Sequence, residues 1–252
     1  MCGASSGIGK AVAVQFAKEG SKIVICARRE DKLLEVAKEI KAQSKSEVIP
    51  VVADVSKKED VETLVSRTKK EFGGLDILFT NAAGPRPAQF LETTDQDWTN
   101  AFEMTLMSVV RLSRASVPLM KERGGGSIVN IVSTSAKQPI PNLVLSNSLR
   151  MAVVGLAKTL SVELAKFNIR VNNVCPGYTD TPRIEGLLQN TVQREGITRE
   201  EAVSRMLSEV PLRRMANPSE VASMIAYLSS DRAKYITGST IFVDGGAIRS
   251  AL

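Results

Sequence analysis

The chain has 252 residues, 43% apolar and 24% charged, which suits one α/β domain able to bury about three quarters of its unfolded surface. It contains no histidine, which excludes Ser-His and Cys-His nucleophile pairs and most catalytic zinc sites; Cys2, Cys26 and Cys175 lack the spacing of a disulfide framework or metal centre and read as buried free thiols. The net charge of +6 suits anionic ligands such as phosphates, but acids and bases alternate as on solvated helix faces, so no nucleic-acid partner is expected.

Gly3-Ala4-Ser5-Ser6-Gly7-Ile8-Gly9 carries three glycines and runs into the helical pattern of Val12, Val14, Phe16 and Ala17, which stops at Gly20. Glycines permit positive φ and close approach to a ligand, and the free amides of a helix start attract negative charge, so this stretch reads as a phosphate cradle. The alternative is a tight turn before a helix. Such a loop should follow a buried strand, yet only Met1 and Cys2 precede it. The central strand is read as truncated, misassigned or lost, and residues upstream of Met1 are expected.

Residues 22–27 form a nearly all-apolar strand ending in Ala27-Arg28-Arg29. A dinucleotide-binding unit places there an acid for a free ribose 2′-hydroxyl or a cation for a 2′-phosphate, so Arg28 favours NADP over NAD. The competing reading makes Arg28 and Arg29 solvated cations at the start of the helix 30–43. A second strand, 47–53, leads to Asp54 and Val55, where Asp54 can accept from an adenine amine or cap its own loop. Ser56 and Glu59 have capping-box spacing for the helix 57–72. The strand 75–80 breaks into Asn81-Ala82-Ala83-Gly84, small residues that allow close backbone approach. Thr94 and Asp97 cap a long helix through Val117, Gly124-Gly125-Gly126 breaks it, and the strand 127–132 and helix 143–166 follow. After Cys175-Pro176-Gly177-Tyr178-Thr179-Asp180-Thr181 come a polar helical insert over 183–208 with a capped start at Thr198, a helix opened by Asn217-Pro218-Ser219-Glu220, and the strand Thr240–Val243. Strand-helix alternation throughout predicts a single α/β domain spanning 1–252, a doubly wound, Rossmann-like parallel sheet. No apolar run approaches the roughly 18 residues of a membrane span, and a cytoplasmic protein without a membrane partner is expected.

Taken together, the glycine loop, Asp54-Val55, Asn81-Ala82-Ala83-Gly84, Ser133, Pro176-Gly177 and the ending Ile236-Thr237-Gly238-Ser239 with Val243-Asp244-Gly245-Gly246 resemble the short-chain dehydrogenase/reductase family. The ending is similar to the branch containing 3-oxoacyl-carrier-protein reductases and glucose dehydrogenases. The resemblance implies an oxidoreductase acting on a carbonyl or hydroxyl substrate. Cofactor contacts are implied at Gly3, Ser5, Ser6, Gly7, Ile8, Gly9, Arg28, Asp54, Val55, Asn81, Ala82, Ala83, Arg150, Pro176, Gly177 and Thr179, with no metal. It also implies that 183–208 covers the substrate, and that the helices from Thr94 and over 143–166 meet their symmetry mates in a homotetramer or homodimer.

At the family's catalytic positions the chain departs. The serine is kept as Ser133, but the tyrosine thirteen residues on is Ser146, the following lysine is Arg150, and Thr105 stands where an asparagine is expected. An aliphatic hydroxyl is a far weaker acid than a phenol, and arginine stays protonated, so this pair cannot inherit the proton delivery of tyrosine and lysine. Arg150 can instead donate in two prongs to ribose hydroxyls, phosphate or a substrate carboxylate. Tyr178, Lys137 or a water held by Ser133, Ser146 and Arg150 are the remaining proton donors. Two further readings are a nucleotide-binding protein whose catalysis has drifted toward a regulatory role and, ranked last, a relative of halohydrin dehalogenases.

Overall fold

The structure is a computed structural model and describes residues 1–250. Its elements are α1 (Gly7–Lys18), β1 (Ile23–Ala27), α2 (Glu30–Gln43), β2 (Val48–Val52), α3 (Lys58–Phe72), β3 (Ile77–Thr80), α4 (Asp95–Phe102), α5 (Ser108–Glu122), β4 (Gly126–Ile131), α6 (Val144–Glu163), β5 (Ile169–Pro176), α7 (Pro182–Glu195), α8 (Arg199–Ser208), α9 (Pro218–Ser229) and β6 (Thr240–Val243).

Every strand pairing is parallel, in the orders β1-β2 and β3-β4-β5-β6. Met1–Ala4 lies between the two groups: Cys2 N–H donates to Phe79 O (3.2 Å), Ala4 N–H to Cys26 O (3.0 Å) and Cys26 N–H to Met1 O (3.0 Å). Four residues thus occupy the carboxyl end of the central strand position, the place at which the sequence lacked a full strand. β1 is buried along its whole length, as a central strand must be, whereas β2 pairs on one side only and therefore tolerates Pro50.

The sheet is covered on both faces. Val12 and Phe16 of α1, Leu33 and Ile40 of α2 and Val221 and Ile225 of α9 pack one side. Val61 and Leu64 of α3, Leu112 and Met120 of α5 and Ala157 of α6 pack the other. At about 25 cal/mol per Å², burying such side chains supplies most of the folding drive.

The capping box expected at Thr94 and the capped start expected at Thr198 are present, and Asn217 adds a box where only a helix start was expected. The box expected at Ser56 and Glu59 is absent: α3 begins after Lys57 without a side-chain cap, because the Ser56 hydroxyl donates to Asp54 Oδ1 (2.7 Å) and Asp60 accepts from Asp54 N–H (2.7 Å). The long helix from Thr94 is also interrupted, Glu103–Met107 forming a π turn between α4 and α5. Thr105 is buried in that turn and its Oγ1 has no hydrogen-bond partner.

Across the sheet runs a row of polar side chains in register. Thr80 Oγ1 donates to Asn130 Oδ1 (2.7 Å), Asn130 Nδ2 to Asn173 Oδ1 (3.0 Å) and Asn173 Nδ2 to Thr240 Oγ1 (3.1 Å), linking β3, β4, β5 and β6. Burial is affordable here because each amide finds a partner on the next strand.

Candidate active site

A cleft of about 1080 Å³ opens at the carboxyl ends of the strands, where Ala27, Asp54, Asn81, Ser133 and Tyr178 line it from five successive segments. Doubly wound sheets bind ligands at this edge.

One end is built by the glycine loop. Ser6 is the extended N-cap of α1 but gives no side-chain cap, so the first amides of the helix remain available to a ligand; Gly3, Ser5, Ser6, Gly7 and Ile8 all line the cleft. Gly3 has φ +63°, and a Cβ there would lie 2.5 Å from Asn81 Nδ2. Gly9 differs from its expected role as a cofactor contact. It is buried outside the cleft lining, and a Cβ on it would strike the Gly3 carbonyl, so it is needed for packing α1 under the loop. The start of α7 walls the same region, since a Cβ on Gly7 would meet Thr181 Cγ2 at 3.1 Å.

Arg28 and Arg29 line the cleft beyond Ala27, with Asp54 and Val55 beside them. Asp54 Oδ1 accepts from both the N–H and the hydroxyl of Ser56, so the residue caps its own loop while facing the cleft. Burial works against its charge, but those hydrogen bonds, with Arg28 and Lys57 nearby, hold its carboxyl below the ordinary value. Asn81 Nδ2 donates to Cys2 O (3.3 Å), while Ala82, Ala83, Pro176, Gly177 and Thr179 complete this part of the lining.

At the other end Ser133, Ser146 and Arg150 come together. Ser133 caps a short 3₁₀ turn, its Oγ accepting from Ser135 N–H (3.1 Å), and Ser146 is buried with its Oγ 3.3 Å from that of Ser135. Arg150 Nη1 donates to Ile131 O (2.9 Å), while its Nε is sealed from solvent without a partner. Burial, and secondarily the charge of Arg183, push the Arg150 guanidinium down to about 10, so it remains a cation at neutral pH. Tyr178 also reaches the cleft, but burial and Glu209 raise its phenol above the ordinary value, the wrong direction for a proton donor. Lys137 is exposed and is not among the cleft-lining residues. Cys175, fully buried, is pushed up to about 11 by desolvation and stays a thiol.

Arg183 was legible only as one polar residue of the insert. Pro182 at the first position of α7 and the Thr181 N-cap place it so that Nη2 donates to Pro85 O (2.7 Å), its guanidinium lying against Gly84. Among the described residues no cluster of His, Cys, Asp or Glu could hold a metal, and no helix is long and apolar enough to cross a membrane.

Residues 3–247 match the family model described as "Enoyl-(Acyl carrier protein) reductase". The NADPH-dependent reductase BacG of Bacillus subtilis is 31% identical over 249 residues, 98% of this chain and 96% of that protein. The 3-oxoacyl-[acyl-carrier-protein] reductase FabG of Thermotoga maritima is 34% identical, covering 98% and 95%. The crystal structure of L-sorbose reductase from Gluconobacter frateurii, complexed with NADPH and L-sorbose, superposes with a TM-score of 0.94 at 37% identity, over 99% of this chain and 95% of that one. An uncapped helix start on a glycine loop, a cleft at the carboxyl edge of a doubly wound parallel sheet and a match along nearly the whole length agree: the chain belongs to the short-chain dehydrogenase/reductase family.

Proposed function

We propose that the protein is an NADPH-dependent reductase of ketone carbonyl groups, with the chemistry at the end of the cleft where Ser133 and Arg150 meet. The observation that carries this reading is one continuous cleft with uncapped helix amides at one end and, at the other, a serine hydroxyl and a guanidinium that has no acid partner. NADPH bound there supplies the hydride. Gly3, Ser5, Ser6, Gly7 and Ile8 hold its diphosphate, Arg28 its 2′-phosphate, Asp54 and Val55 the adenine, and Asn81, Ala82, Ala83, Pro176, Gly177 and Thr179 the nicotinamide half. The NADPH complex of the sorbose reductase and the NADPH dependence of BacG support the choice of cofactor.

The Ser133 Oγ already accepts from Ser135, so its own proton is the one it offers to a substrate carbonyl oxygen. Arg150 stabilises the alkoxide as it forms; a preorganised donor of this kind is worth about 10²- to 10³-fold in rate. Tyr178 is shifted upward, so the alkoxide takes its proton through a water at Ser133 and Arg150 that is re-protonated from bulk solvent at the open end of the cleft. α7 and α8 cover the substrate, and Phe102, Met151 and Val162, exposed on α4 and α6, form a contact between copies of the chain in a homo-oligomer.

The test is NADPH titration by fluorescence, then loss of absorbance at 340 nm with a panel of ketones. Binding with turnover, and weaker use of NADH, is expected; failure to bind NADPH contradicts the reading. The loss of both phenol and ammonium at Ser146 and Arg150 favours a second reading, a nucleotide-binding regulatory protein, for which NADPH binds and no ketone is reduced.

A further inference from the structure

We propose that the substrate carries a carboxylate, gripped by Arg183 while its carbonyl lies at Ser133 and Arg150, so that the cleft selects oxo acids; this rests on the reductase reading above. Both arginines line the inner cleft, one from the start of α7 and one from α6, and neither faces an acid. Each donates to a single backbone carbonyl, Pro85 O and Ile131 O, which leaves further N–H groups for a ligand, the sealed Nε of Arg150 excepted.

The remaining charges of the cleft point the same way. Its lining includes Arg28, Arg29, Arg150, Arg183 and Arg205, against only Asp54 and Glu195. Asp54 sits at the β2 end, and Glu195 is already paired with Arg205 at 2.8 Å. The two guanidiniums line one cleft with no acid paired to either, and burial, with the charge of Arg183 second, lowers Arg150. An anion at Arg183 offsets that charge. The planar fork of a guanidinium matches the two oxygens of a carboxylate, and Met104, Ile140, Leu143, Ile184 and Leu187 offer walls to an apolar body. The cofactor's own phosphates have other donors, at the start of α1 and at Arg28.

The probes are 4-oxopentanoate and its neutral methyl ester. Calorimetry on the full chain with NADP⁺ bound reads affinity, and NADPH consumption reads turnover. The acid is expected to bind at least about tenfold tighter than the ester, the loss typical of an unpaired charged hydrogen bond. Arg183→Gln removes that preference, Arg183→Lys keeps part of it, and in both the NADPH dissociation constant moves by less than about twofold. Equal binding of acid and ester, no binding of the acid, or an Arg183→Gln loss falling equally on NADPH overturns the proposal; the last result assigns the guanidinium to the cofactor. Acid preference without turnover upholds the anion site and overturns the reductase reading instead.

Discussion

Two polar clusters lie within this fold, and they are finished to different degrees. The row Thr80, Asn130, Asn173 and Thr240 crosses four strands with each amide bonded to the next residue. The group at the mouth of β4 is incomplete: Arg150 Nε is sealed off without a partner, Thr105 in the π turn beside Met104 has none for its hydroxyl, and only Ser135 reaches Ser133 and Ser146. Ser113 and Ser116 on α5 are the other described buried side chains left without a partner. A saturated buried network fixes strand register, while Ser133 and Arg150, which line the cleft, keep donors free for a ligand.

Breaking the saturated row should be costly for stability. Asn130→Leu, which has the same branched outline but a larger volume, strands Thr80 Oγ1 and Asn173 Oδ1 together, and should lower unfolding free energy by about 4 kcal/mol in urea titration. A loss below about 1 kcal/mol would remove the distinction drawn between the clusters. Next, Gly9→Ala places a methyl against the Gly3 carbonyl and should cost about 3 kcal/mol, with NADPH binding lost in parallel because the cradle itself must move. Calorimetric melting beside NADPH fluorescence checks both.

The incomplete cluster makes a prediction about pH. With Arg150 lowered only to about 10 and Tyr178 raised, neither group ionises between pH 6 and 9, so kcat/KM should be flat across that range. An alkaline or neutral break in the profile would show a titrating acid and refute water as the donor. The smallest effect is expected at Thr105→Val, which removes a buried hydroxyl that lacks a partner and should raise stability by about 1 kcal/mol.

Much of this was legible in the chain. Short-range signals were reliable where geometry is local: the glycine loop, the helix starts at Thr94, Thr198 and Asn217, and the near-continuous apolar strands of a parallel sheet. They misled at Ser56, whose spacing to Glu59 suited a cap while Asp54, two residues back, was the nearer acceptor. The polar row was out of reach because Asn130 and Asn173 are 43 residues apart and meet only through strand register. Arg183 was hidden for the same reason: its partner Pro85 is 98 residues away, and nothing in the charge pattern of the insert separates it from solvated neighbours. The substitutions at 146 and 150 were visible at once, but what they leave, an Arg150 that reaches only Ile131 O and has an orphaned Nε, needed the fold.

The central claim is tested most directly by Arg150→Met, read for stability and turnover on the same preparation. An unfolding midpoint equal to or above that of the unaltered protein is expected, because a partly buried cation with no acid partner is removed, together with a fall in NADPH consumption of at least about 100-fold. A variant that is destabilised like Asn130→Leu yet reduces its substrate at the original rate would show that Arg150 serves the fold and not the reaction.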